Sequence, residues 1–305
     1  MLHGFLFGAG ASYCSGRCEP ERPPLGNQLY DKLEPTLRVA KEVDDDVKEL
    51  FRKDFEAGMD ELLKRKSWVY QSFQQDLARY IAQFEPGPGN HYRELIQIFK
   101  NKGAFTLLST LNYDLLLERA IELAGHQYTH MLSEPWTPGS FPVYKLHGSC
   151  NIVPVLQVPL QGFVLDVRLT DAPPGTTVSG VAGDELRTLD RVDLMKWLDE
   201  EDTLVPCVAA YHASKNIRDH GAPFEYLRAH WAKDIHNTEA MFIVGVRLVL
   251  HDTHIWEPLS KYKGKIYWIS RDPTPALDWA DTHGVDMEHF ATDFHSFIPE
   301  YNKRF

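Results

Sequence analysis

Residues 2–12 read LHGFLFGAGAS, an apolar run that leads directly into a glycine turn. Short apolar runs bounded by glycine or polar residues are typical of buried parallel strands. Four further runs share this character and are separated by helical patterns: 105–109, 143–146, 241–246 and 265–269. The alternation predicts an α/β fold, a Rossmann-like, mainly parallel sheet with helices on both faces.

Two segments interrupt this alternation. Residues 25–99 have a helical pattern too long for a simple crossover, which predicts an inserted helical subdomain over 25–89 and a helix capped by Asn90. Residues 151–205 start with alternating apolar and polar residues, which predicts a small β-rich or irregular insert. We therefore expect one domain over 1–305 that carries both inserts.

Composition excludes several classes of protein. The chain has 305 residues, 43% of them hydrophobic, and a formal net charge of −11, so a globular core is expected and a broad nucleic-acid-binding face is not. It has neither an apolar run long enough for a membrane span nor a recognisable secretory signal at its start. The four cysteines form no CxxC pair, which is typical of a reducing compartment. We expect a cytoplasmic protein without membrane contact.

Three motifs follow predicted strands, where open parallel sheets place their ligand residues. The first is GAGAS at 8–12, a possible phosphate-binding turn. Tyr13 stands where the dinucleotide fingerprint has its third glycine, so a purely structural turn stays open and an ordinary dehydrogenase is disfavoured.

The second motif is TLNYD at 110–114 and the third is KLHGS at 145–149. Asn112 could simply cap the following helix, and His147 could be an ordinary polar residue at a strand end. Gly148, however, is expected to let a bulky group approach the imidazole.

Together, and in this order, the three motifs resemble the signature blocks of the silent-information-regulator, or sirtuin-like, family. A fourth block, 242–248, resembles the family's late strand and glycine turn, although Val246 and Arg247 replace its hydroxyl-bearing pair. The resemblance implies that NAD is consumed as a substrate, and it implies roles for particular residues. Asn112, His147 and Asp114 would be catalytic. The residues that would bind NAD are Gly8, Ala9, Gly10, Ser12, Thr110, Gly148, Ser149, Gly245 and Ser270.

The departures from the family narrow the implied activity. Protein deacylases of the family hold a structural zinc with two CxxC pairs and carry an Asp-Phe-Arg segment after the glycine turn, and this chain has neither. No zinc is therefore expected, and deacylation or ADP-ribosyl transfer is disfavoured. The profile is similar to zinc-free sirtuin-like domains of prokaryotic antiviral defence systems, which hydrolyse NAD to ADP-ribose and nicotinamide.

That resemblance also implies partners. We expect a homo-oligomer, with the helical insert as a contact surface, and a separate partner protein such as a HerA-type ring ATPase or a short Argonaute. No direct contact with nucleic acid is expected. One alternative stays open: a non-catalytic module that binds NAD or ADP-ribose and acts as a scaffold or sensor.

A last pattern concerns metal ligands. His251 and His254 lie three apart in a segment of helical pattern, a spacing that would let them share a ligand. Because no further ligand accompanies them in the sequence, we expect solvated or capping roles and no metal site.

Overall fold

The computed structural model describes most of the chain, in two compact units. The described residues are 2–103, 106–132, 139–156, 182–200, 204–208 and 221–305. The first unit comprises Met1–Leu25, Phe84–His147 and Glu225–Phe305, and the second comprises Gly26–Gln83 and Gly148–Phe224. Within the described residues, none of the helices combines the length and the apolar character that a membrane span requires.

A seven-stranded, entirely parallel sheet forms the centre of the first unit. Its strands are β1 His3–Phe7, β4 Thr106–Thr110, β5 Tyr128–His130, β6 Phe141–Lys145, β9 Ala240–Val244, β10 Lys265–Ile269 and β11 Met287–Ala291, in the order β11-β10-β9-β1-β4-β6-β5. The predicted α/β fold is confirmed. Strands β5 and β11 were not predicted, because these edge strands are short or mix polar with apolar residues.

Helices cover both faces of the sheet. The helices of the first unit are α1 Ala9–Tyr13, α6 His91–Lys102, α7 Leu116–Leu123, α10 Thr253–Ser260, α11 Thr274–His283 and α12 Phe294–Arg304. Helix α9, Gly221–Asp234, begins in the second unit and ends in the first. The short strands β2 Cys18–Glu19 and β3 Glu85–Pro86 form a separate antiparallel pair. Asn90 caps α6 as predicted, because its side chain accepts a hydrogen bond from the Tyr92 amide at 3.0 Å.

The alternation of side chains along β1 explains how both faces are buried. Phe5 and Phe7 point to one face, where their rings lie 5.0 Å from Phe99 of α6 and 5.7 Å from Phe294 of α12. Leu6 points to the other face and joins an apolar cluster with residues of α9, α10 and α11. One strand therefore anchors both layers of helices.

The second unit is mainly helical. Its elements are α2 Gly26–Leu33, α3 Asp45–Lys53, α4 Phe55–Arg65, α5 Ser67–Ala82, β7 Ile152–Leu156, β8 Ala182–Thr188 and α8 Arg191–Glu200, with 3-10 turns at Glu34–Thr36 and Ala40–Glu42. Stacked rings of Tyr30, Phe51 and Phe73 fill its helical core. The predicted helical insert contains α2 to α5, and the described part of the predicted β-rich insert contains β7, β8 and also the helix α8. Residues 157–181 and 201–203 of the second insert lie outside the described part. The division into one domain with two inserts stays a prediction.

Two glycine turns pack backbone to backbone at the carboxyl edge of the sheet. The Gly8 amide donates to the Val244 carbonyl at 3.0 Å, and the Gly10 amide donates to the Gly245 carbonyl at 2.9 Å. Gly245 has a φ of +61°, and a Cβ on it would lie 2.8 Å from the Gly10 Cα and closer still to the Ala11 nitrogen. The glycines at these positions are therefore required by the packing of the turns.

Substitution of Gly245 by alanine tests this packing against a matched control. Gly284 has a similar φ of +65° with open space around it, so Gly284→Ala is expected to lower the free energy of unfolding by about 1–2 kcal/mol through backbone strain alone. Gly245→Ala adds a steric clash with backbone atoms, and we expect a loss at least about 2 kcal/mol larger in urea unfolding. Equal losses in the two variants would contradict the close contact.

Candidate active site

The three sequence motifs begin at the carboxyl ends of three neighbouring strands. In the sheet, β1 pairs with β4 and β4 pairs with β6, with Phe7 opposite Thr110 and Thr110 opposite Lys145. The Leu111 amide donates to the Phe7 carbonyl, and the Leu146 amide donates to the Thr110 carbonyl. The strand order and register therefore bring GAGAS, TLNYD and residues 145–147 of KLHGS to one edge.

The side chain of Asn112 ties two of these motifs together. Its amide nitrogen donates to the Gly8 carbonyl and to the Ser12 hydroxyl oxygen, both at 2.9 Å, and the side chain is buried. The interpretation of Asn112 as a helix cap is wrong, because α7 begins only at Leu116. The residue holds the glycine turn of β1 against the end of β4.

Ser12 connects the predicted residues further. Its hydroxyl donates to Asp114 Oδ2 at 2.8 Å and accepts from Asn112, and the Tyr92 hydroxyl lies 3.2 Å away. Thr110 supports the same corner, because its hydroxyl oxygen accepts from the Asn112 backbone amide at 3.0 Å. Tyr92 was not predicted, since its position in α6 reads as one more apolar residue of a helical pattern.

The protein environment of Asp114 shifts its carboxyl group toward the neutral, protonated form relative to the same group in water. Burial raises the pKa of this carboxyl above its ordinary value, against the opposing effects of the Lys145 ammonium and the Ser12 hydrogen bond. Asp114 Oδ1 also accepts a hydrogen bond from the Leu116 amide, at the start of α7. The carboxyl is thus held in place by Ser12 on one side and the backbone on the other.

A buried ionic cluster lies next to this carboxyl. Lys145 Nζ is 3.1 Å from Glu118 Oε1 and donates to the Asp114 backbone carbonyl at 2.6 Å, while His130 Nε2 is 3.0 Å from the same Glu118 oxygen. Burial by itself would raise the pKa of Glu118, but the Lys145 charge and the His130 hydrogen bond lower it to about 2. Burial lowers the pKa of His130, so this imidazole is neutral near pH 7 and donates to the carboxylate. No sequence pattern links these three residues, which lie on α7, β5 and β6.

His147 lies just after β6, is 3% exposed, and contacts a second histidine. Its Nε2 atom is 3.2 Å from Nε2 of His254 in the first turn of α10. Since β1 and β4 separate β9 from β6, the segment between β9 and α10 has to cross the carboxyl edge to make this contact. The expected solvated or capping role of His254 is therefore wrong, and His251, its predicted partner in sequence, is exposed.

Asp252 completes this corner. It is buried and occupies the N-cap position of α10, yet its side chain makes no capping hydrogen bond. One ligand-type atom from each of His147, Asp252 and His254 lies within 4.8 Å of the other two. The sequence did not predict this grouping, because His147 lies 107 positions before His254 in the chain.

The other predicted binding residues have mainly structural contacts. Gly148 and Ser149 belong to the second unit, where the Gly148 φ of +84° accommodates the Cys207 carbonyl, to which the Ser149 amide donates at 2.9 Å. A backbone carbonyl, not the predicted bulky group, thus fills the space that Gly148 leaves. Ser270 follows β10 and its hydroxyl donates to the Asp272 carbonyl at 3.3 Å. Binding roles for these residues stay predictions.

Two further sequence features have a structural explanation. Val246, which replaces a hydroxyl-bearing residue of the resembled family, is 5% exposed and belongs to the apolar cluster beneath α10.

All four cysteines are free thiols, and burial raises the pKa of Cys14, Cys18 and Cys207. Raised pKa values make these thiols poor nucleophiles near neutral pH.

Comparison with protein families agrees with the motifs. A model of the SIR2-like domain matches residues 106–159, which include TLNYD and KLHGS. The chain contains a SIR2-like segment. The resemblance to the sirtuin-like family is confirmed over that segment, and no curated protein matches the chain significantly.

Solved structures of Sir2 homologues are also similar to the chain. An ADP-ribose complex of a histidine-to-asparagine mutant is 17% identical, with a TM-score of 0.46, over 99% of this chain and 89% of that one. An NAD complex of a Sir2 homologue is 16% identical, with a TM-score of 0.41, over 99% of this chain and 88% of that one.

Removal of the Lys145 charge tests the buried cluster. Lys145→Met leaves the Glu118 carboxylate buried without its cation, so we expect a loss of about 3 kcal/mol in the free energy of unfolding. The double variant Lys145→Met, Glu118→Gln removes both charges and should recover part of that loss. Lys100→Met, at an exposed position of α6, is the control and should change stability by less than about 0.5 kcal/mol. A single variant as stable as this control would contradict the ionic cluster.

Proposed function

We propose that the protein is an NAD glycohydrolase, which cleaves NAD to ADP-ribose and nicotinamide. The observation that carries this proposal is the convergence of GAGAS, TLNYD and residues 145–147 at one edge of the sheet, with Ser12, Asn112 and Asp114 in direct hydrogen-bond contact. The SIR2-like match over 106–159 supports the same conclusion.

The topology favours a dinucleotide at this edge. The chain leaves β1 toward β4 on one side and leaves β9 toward β10 on the other, so the turns after β1 and β9 flank the switch point where open α/β sheets bind ligands. The amides of Gly8 and Gly10 already donate within the protein. We therefore expect the phosphates to contact the exposed part of the turn, around Ala9, and the end of β10 at Ser270 to lie toward the adenosine half.

The chemistry assigns a role to each central residue. When the bond from C1′ of the ribose to the nicotinamide nitrogen breaks, nicotinamide leaves with the electron pair and positive charge develops on the ribose. Water adds its oxygen to C1′, and His147 accepts the proton that this water loses, either directly or by way of a ribose hydroxyl. The Asn112 carboxamide, whose two N–H donors are engaged within the protein, orients the water by accepting a hydrogen bond at Oδ1. Asp114 stabilises the developing charge when it is ionised, and it fixes the position of Ser12.

The biological setting follows from the resemblance alone. A cytoplasmic enzyme that depletes NAD would act as the effector of an antiphage defence complex. Its activity would be controlled by oligomerisation and by a separate partner, for which a HerA-type ATPase or a short Argonaute is proposed.

A second candidate is a module that binds NAD or ADP-ribose without turnover. Two observations favour it. Val246 places an apolar side chain in the core where the resembled family has a hydroxyl. Nε2 of His147, a nitrogen that a general base could use, is in contact with Nε2 of His254. Binding and turnover have to be measured separately to distinguish the two functions.

Measurement of nicotinamide release by purified protein tests the hydrolase. We expect His147→Ala to reduce the rate by at least about 100-fold, because the general base is lost, while NAD binding measured by calorimetry persists. Asn112→Ala should reduce both turnover and NAD affinity, because it also releases the glycine turn.

The matched control is His283→Ala. His283 lies in the last turn of α11, at the opposite edge of the sheet from the motifs, and this variant should retain wild-type turnover. Wild-type protein that binds NAD but releases no nicotinamide would favour the binding module. Turnover that is unchanged in His147→Ala would contradict the assigned base.

A further inference from the structure

The cluster of His147, Asp252 and His254 has the composition of a transition-metal site. Imidazole nitrogens and a carboxylate oxygen are the donor set that Zn²⁺ binds together with water. Among the described residues, this is the group of histidine, cysteine and acidic side chains whose ligand atoms converge closely enough to share one ion. Two of its members, His147 and Asp252, are buried.

The distance between the two imidazoles fits such an ion. Two nitrogens bound to one tetrahedral Zn²⁺ at about 2.0–2.1 Å lie about 3.3–3.4 Å apart. The two Nε2 atoms are 3.2 Å apart, so an ion requires only a small adjustment of the rings. A hydrogen bond between the imidazoles fits the same distance, so metal titration has to distinguish the two arrangements.

Asp252 is the second, independent observation. Aspartate at an N-cap normally accepts hydrogen bonds from the first amides of its helix. In α10, the Ile255 and Trp256 amides instead donate to the Asp252 backbone carbonyl, at 2.8 and 3.0 Å, and no capping bond to the side chain is made. One carboxylate oxygen of Asp252 lies within 4.8 Å of a ring nitrogen of each histidine, where it would supply the third ligand.

We infer that His147, Asp252 and His254 bind a divalent transition-metal ion of the zinc class, and that this ion inhibits the enzyme. Coordination would occupy the lone pair on Nε2 of His147, and we expect this to remove the proton acceptor of the proposed hydrolysis. The inhibitory consequence rests on the proposed NAD hydrolysis, whereas the binding of the ion does not. A fourth coordination position is left for water.

Zinc binding is tested first without NAD. Chelator-treated full-length protein is titrated with Zn²⁺ in competition with a chromophoric chelator, and Co²⁺ is used to report tetrahedral coordination through its visible absorption. We expect one ion per chain in the wild type. We expect His254→Ala and the nearly isosteric Asp252→Asn to weaken binding by at least about tenfold.

His251→Ala is the matched control, since His251 lies in the same segment but is exposed and outside the cluster. It should bind zinc as the wild type does, and thermal unfolding checks that each variant is folded. Failure of the wild type to bind zinc, or equal binding by folded His254→Ala, would overturn the site and leave a hydrogen-bonded histidine pair.

Inhibition is tested second, by nicotinamide release with and without zinc. Loss of turnover on addition of Zn²⁺, reversed by chelator, would support the inhibitory role, and zinc-insensitive turnover in protein shown to hold the ion would overturn it. Zinc binding in a protein that releases no nicotinamide under any condition would refute the hydrolase while the metal site itself stands.

Discussion

The two hydrogen bonds donated by the Asn112 side chain are the interaction on which the site depends. They join the Gly8 carbonyl and the Ser12 hydroxyl, which belong to the turn after β1, to the end of β4. Because both donors of one buried amide are used, the turn and the strand end hold each other in a single arrangement. Ser12 then positions Asp114, so one asparagine orders three motif residues.

Two further sets of contacts hold this corner of the site. On the side of β9, the backbone contact between Gly10 and Gly245 allows no side chain between the turns. On the side of β6, Lys145 reaches the Asp114 carbonyl and is neutralised by Glu118. A buried ion pair of this kind adds little to the free energy of unfolding, but separation of its partners would leave a buried charge uncompensated. Conformations of the site that separate Lys145 from Glu118 are therefore disfavoured.

The sequence predicted the fold because the signal is local. Each central strand is an apolar run, and β10 was predicted over its observed bounds, whereas the ends of β1, β4, β6 and β9 differ by one or two residues. The motifs were recognised because each follows a strand. The contacts of His254 with His147, and of Glu118 with Lys145, could not be predicted, since they join elements that only the strand order brings together. A helix cap at Asn112 was likewise a local alternative, which the start of α7 at Leu116 excludes.

Amide hydrogen exchange with and without NAD tests the central claim most directly, namely that this edge of the sheet is the NAD site. The arrangement predicts slower exchange on addition of NAD in the turn at residues 8–13 and at residues 110–116. Unchanged exchange in both segments, with protection elsewhere in the chain, would contradict it.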